Sequence, residues 1–130
     1  MFAFRVLDRS GVPAYLQLVD QVRRGLLLGH LQEDDQLPTV RAVASALTIN
    51  PNTVAKAYRE LEHAGLATAR AGQGTFVTGH VEQVPAATYA RLSGRLKQWL
   101  ADAREAGLAP EQVRAMVDAI MNDDQQRETA

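Results

Sequence analysis

Apolar residues recur at helical spacing through most of this chain, and the breaks in that period mark its elements. Tyr15, Leu18, Val19, Val22 and Leu26 follow the i, i+3, i+4, i+7, i+11 pattern of an amphipathic helix. Pro13 suits its first turn, where a missing N–H costs nothing, and Gly29 suits its C-terminal stop. The polar run Gln32 to Gln36 is predicted to be a loop. A short helix then carries Val40, Val43, Ala44 and Leu47 on one face, with Thr39 placed to cap it. After Thr48-Ile49-Asn50, a third helix opens with Asn50 as cap and Pro51 at its first position, buries Val54, Ala57, Tyr58 and Leu61, and ends at Gly65.

The period changes from helical to alternating beyond Gly65. Leu66 to Ala71 and Thr75 to Thr78 are predicted strands, joined around Gly72-Gln73-Gly74, where glycine admits positive φ. A polar connector from His80 to Ala87 leads to a fourth helix with Tyr89, Leu92, Leu96, Trp99 or Leu100, and Ala103 inward, stopping near Gly107. Pro110 opens a fifth, with Val113, Met116, Val117 and Ile120 on its stripe; beyond Asn122 the chain is polar and expected to fray. The fold class is therefore mainly α with a small β-hairpin wing. A winged helix-turn-helix over residues 1–80 precedes a connector and two-helix dimerisation tail over 81–130.

The helix-turn-helix assignment rests on the stretch Leu37 to Val77. Two helices crossing steeply need a small residue at the contact and a buried anchor in the turn; Ala44 and Ile49 supply them. Composition narrows the chemistry. The chain has no cysteine, which excludes disulfides and thiolate zinc sites, and its three histidines are widely spaced, so no metal site is expected. No Ser/His/Asp or paired-carboxylate arrangement marks an enzyme, and no cofactor is implied. The start lacks the basic and apolar regions of a secretory signal, and no apolar run reaches the roughly 20 residues that span a bilayer. A soluble cytoplasmic protein is expected.

Charge adds little. The formal net charge is -1, with eight basic and seven acidic side chains in residues 1–80 and six against eight in 81–130. Nucleic-acid binders are usually basic. A winged helix used only for protein–protein contact is the competing expectation.

With the third helix's core stripe turned inward, Asn52, Lys56, Arg59 and His63 lie on the opposite face. Residues near the N-terminus of such a helix read base edges in the major groove. Asn52 suits a bidentate contact to adenine, Thr53 a phosphate or thymine methyl, and Lys56 a guanine or phosphate. Arg59 falls further along, where DNA backbone is met. The candidate DNA-binding set is Arg41, Asn50, Asn52, Thr53, Lys56 and Arg59, with Arg70, Gly72 and Gln73 from the wing. Each also has a plain structural use: Asn50-Pro51 starts any helix well, Lys56 and Arg59 suit a solvated face, and the glycines close a hairpin.

Leu37-Pro38-Thr39 with Arg41, Asn50-Pro51-Asn52-Thr53-Val54, Ala57-Tyr58, Leu61, Gly65-Leu66 and Gly72-Gln73-Gly74-Thr75-Phe76-Val77 together resemble the winged helix of GntR-type repressors. Pro13-x-Tyr15-x-Gln17 and Gly29-x-Leu31 extend the resemblance over residues 13–78, and the short tail is similar to the YtrA branch of that family. The resemblance implies a homodimer on a palindromic operator, often controlling neighbouring transporter genes. It also implies DNA contacts from Arg41, Asn50, Asn52, Thr53 and Gly72. Many of the family carry arginine where this chain has Pro51 and Ala55, so guanine reading from those two positions is absent here.

The tail helices are too short for a core of their own, and their stripes need a partner. A twofold-related copy is the simplest, through Tyr89, Leu92, Leu96, Trp99, Leu100, Val113, Met116, Val117 and Ile120; folding back on the first helix is the alternative. Two helices do not enclose a pocket of about 300 Å3. The expectation is no dedicated effector chamber, or one at a dimer interface around Trp99.

Overall fold

The computed structural model describes residues 1–7 and 11–129. It separates into two units, Met1–Gln83 and a second from Val84 onward. The first holds α1 (Ala14–Leu27), α2 (Val40–Leu47), α3 (Pro51–His63), β1 (Ala67–Arg70) and β2 (Gly74–Val77); the second holds α4 (Ala86–Glu105) and α5 (Pro110–Thr129).

The first unit is organised around α3, which packs against α1, α2 and β1. Its expected stripe is the buried one: Val54, Ala57 and Leu61 are sealed from solvent and Tyr58 nearly so. Leu18, Val22 and Leu26 meet it from α1, and Val43 and Ala44 from α2. Ile49 plugs the turn from the rim of this core.

Local chemistry sets the α2–α3 turn. The Thr39 hydroxyl accepts the Ala42 N–H at 3.1 Å, and Asn50 Oδ1 accepts the Asn52 N–H at 2.8 Å. Each satisfies a donor that the helix itself cannot. Thr48 closes α2 in the left-handed region (φ 54°, ψ 50°), which brings the Ile49 N–H onto the Ala44 carbonyl at 3.1 Å. The Tyr58 hydroxyl donates to the Pro38 carbonyl and so ties α3 to the entry of α2.

β1 and β2 pair antiparallel, with Ala67 opposite Val77 and Arg70 opposite Gly74. The segment expected to be a plain loop does more. Gln36 bridges Phe76 on the free edge of β2; the Leu37 N–H bonds Thr75 O at 2.9 Å, and the Val77 N–H bonds Asp35 O at 2.8 Å. Backbone pairing leaves no period-2 signature in five consecutive polar residues, so the pattern concealed it.

The first seven residues also have a place. Phe4 is buried and stacks edge-on with Phe2 at 5.0 Å. Gln21 and Gln17, one turn apart on α1, exchange hydrogen bonds with the backbone of Arg5 and Leu7 respectively, as a neighbouring strand would. The alternation Phe2, Phe4, Val6 is the signal that marks this segment in the sequence.

In the second unit, α4 starts at Ala86, inside the expected connector. α5 continues to Thr129 instead of fraying after Asn122. A polar stretch keeps helical form when its residues are good helix formers, as Gln125, Gln126, Arg127 and Glu128 are. Ala103 is buried at the α4–α5 turn, while Tyr89, Leu92, Leu96, Trp99, Met116 and Ile120 are exposed, and Leu100, Val113 and Val117 half-buried. No helix among the described residues is long and apolar enough to cross a membrane.

Candidate nucleic-acid interface

The candidate residues through Gln73 all belong to the first unit, on α2, α3 and the hairpin. Arg41 is exposed in the first turn of α2, just after the Thr39 cap. Asn50 is exposed and uses its Oδ1 to cap α3, with its amide nitrogen as a donor. Asn52 is exposed at the second residue of α3 and Thr53 is half-buried beside it. Pro51 removes one N–H from that first turn, but the turn still presents a positive dipole end of the kind that attracts phosphate.

Two of the candidate cations have partners that the sequence did not disclose. Lys56 sends its ammonium over the Tyr15 ring, 4.0 Å from the centroid, bringing together α3 and the start of α1. Such contacts contribute about 0.5–1 kcal/mol at exposed sites. Arg70 pairs with Asp34 at 2.7 Å and lies over Phe76 at 4.2 Å. It thus braces the wing flank, linking β1 to the segment before α2. Arg59 is exposed on the outer side of α3.

The wing tip turns through Gly72 at φ 73° and Gly74 at φ 122°. A Cβ on Gly72 would meet nothing, but one on Gly74 would stand 2.7 Å from Gln36 Nε2. Gln36 Nε2 donates to the Gln73 carbonyl at 3.0 Å, so the tip is held by a side chain from outside the hairpin. Gln36 and Asp34 are site-shaping residues that sequence reasoning missed; their partners lie 36 or 37 positions away.

Among the described residues no cluster of His, Cys, Asp and Glu could hold a metal ion. The chemistry available is that of amides, hydroxyls, cations and a helix N-terminus, presented by a helix beside a wing. That combination defines a winged helix-turn-helix protein of the DNA-reading class.

Comparison with known proteins specifies the class. The family of bacterial regulatory proteins, gntR family, matches residues 14–77. The HTH-type transcriptional repressor YtrA of Bacillus subtilis is 34% identical over 116 residues, covering 88% of this chain and 89% of its own. A transcriptional regulator from Oenococcus oeni has 37% identity and a TM-score of 0.52, covering 93% of this chain and 99% of that one. YtrA from Sulfolobus acidocaldarius, a GntR-family transcription factor, gives 28% identity and a TM-score of 0.56, over 77% of this chain and 99% of that one. The chain belongs to the GntR family and is a DNA-binding transcriptional regulator, not an enzyme.

Proposed function

We propose that the protein is a cytoplasmic repressor that binds a palindromic operator as a homodimer and controls neighbouring transporter genes. The observation that carries this reading is the pairing of one small reading head with a tail whose apolar stripe is left in solvent. Leu92, Leu96 and Ile120 are each at least half exposed. One head covers one half-site, and a twofold-related pair reads two related by the same symmetry. The YtrA repressor of Bacillus subtilis matches across the tail as well as the head, which supports the repressor assignment.

Within the head, Asn52 and Thr53 are the base readers. Arg41, Arg59 and the N-terminus of α3 hold phosphates, and Gly72 and Gln73 bring the wing tip to the backbone. Lys56 reaches the duplex from its seat over Tyr15, and Arg70 supports the wing from its pair with Asp34. The test is selection of bound sequences from random DNA, followed by salt titration on the selected site. Asn52→Ala should relax preference at one half-site position, at about 1–3 kcal/mol per lost bidentate contact. Arg41→Ala should weaken all sequences alike and lower the salt slope by about one. No binding at low salt would instead favour a protein-docking winged helix.

A further inference from the structure

The chain leaves the reading head through a clasp on the end of α1. Gly79 passes so close that a Cβ there would stand 2.9 Å from Leu26 Cδ1 and 3.2 Å from Leu66 Cδ2. Val81 packs on the core. Gln83 Nε2 then donates to the Leu26 carbonyl at 3.1 Å and to the Val81 carbonyl at 3.2 Å. The Leu26 carbonyl belongs to the last turn of α1, where it also accepts the Gly29 N–H through a long bond of 3.3 Å. Gly29, at φ 79°, leaves the room: a Cβ on it would lie 3.1 Å from Gln83 Oε1.

We infer that Gln83 is a positioning residue that sets which half-site spacings the regulator accepts. This rests on the homodimer reading proposed above. Only Val84 and Pro85 separate the clasp from Ala86, the first residue of α4, and Pro85 has its φ fixed by its ring. Two extended residues reach about 7 Å at most, whereas the four from Glu82 to Pro85, which follow the packed Val81, reach about 14 Å. One base pair of B-DNA rises about 3.4 Å. A closed clasp therefore leaves a tether worth about two base pairs between the head and α4, and an open one about four. Spacing selectivity is built into the connector, apart from any contact with a base.

Gln83→Glu keeps the shape but loses the amide donor and places a carboxylate against two carbonyl oxygens; Gln83→Ala removes the group. Gln83 is exposed, so both variants should unfold at the temperature of the parent. The experiment uses the full chain and duplexes carrying the selected half-site as an inverted repeat, with spacers from zero to about ten base pairs, one helical turn. The parent should bind one or two adjacent spacings, with Kd rising about tenfold outside them, equivalent to about 1.4 kcal/mol. Both variants should spread to several spacings differing by less than about threefold, with single half-site affinity and dimer mass unchanged. A variant profile that keeps the parent's peak, or a parent that accepts all spacings equally, overturns the inference while the homodimer stands. A monomer by light scattering overturns both.

Discussion

Tyr58 shows how one side chain does two jobs. Its ring fills the core beside Phe4, 6.3 Å between centroids, and its hydroxyl fastens the Pro38 carbonyl. Burial raises the phenol's pKa above its usual value of about 10. The neutral form is therefore favoured on folding; its contribution is complete below pH 10 and is lost as pH rises above that toward the folded value. Tyr58→Phe leaves a carbonyl short of a partner and should cost about 1–3 kcal/mol at pH 7. It should also remove this share of the alkaline destabilisation. Denaturant melts between pH 7 and 11 check both; an unchanged midpoint at pH 7 would refute the role of the hydroxyl. The caps Thr39 and Asn50 were legible in the sequence because a cap and its helix are neighbours in the chain. The partners of Lys56 and Arg70 were not, because Tyr15 and Asp34 are distant positions that only packing brings near.

Among the elements, the wing departs most from its sequence pattern. Its two strands were legible from alternation and a glycine pair. Its third edge, Asp34 to Leu37, was not, because that contact is made by backbone atoms whose side chains do not alternate in polarity. The two tip glycines should respond differently. Both have positive φ, so alanine at either is strained, by about 1 kcal/mol or more. Only at Gly74 does the added methyl also collide with Gln36 Nε2. Gly74→Ala should therefore release the Gln36–Gln73 bond and speed amide exchange at Thr75–Val77, while Gly72→Ala leaves those amides protected. Equal protection in the two variants would show that Gln36 does not hold the tip.

At the scale of the whole molecule, a nearly neutral protein must bind a polyanion. The formal net charge of -1 gives little long-range attraction, and on the homodimer reading proposed above two heads supply phosphate contacts that one head lacks. On that reading the tail recruits the second copy. Leu96→Asp places a charge in the middle of the exposed α4 stripe, where Leu96 itself is 55% exposed. Light scattering at micromolar concentration should show the parent as a dimer and the variant as a monomer, with helix content kept. Operator affinity should fall by about 10²-fold or more as the second head is lost. A variant that stays dimeric would move the interface off this face.

Taken alone, the sequence determined the elements, the caps, the buried stripe of α3 and the family, because each is written in spacings of a few residues or in a short motif. It also placed Arg41, Asn52 and Thr53 at the start of helices, where the structure has them. Tertiary structure decided what those elements hold. It seated Lys56 on Tyr15, tied Arg70 to Asp34, turned a polar loop into the outer edge of the wing and clasped the connector to α1 through Gln83. These are pairings between residues far apart in the chain. Nothing in local periodicity encodes them, because a side chain's partner is chosen by which surfaces the folded core brings within a few ångströms.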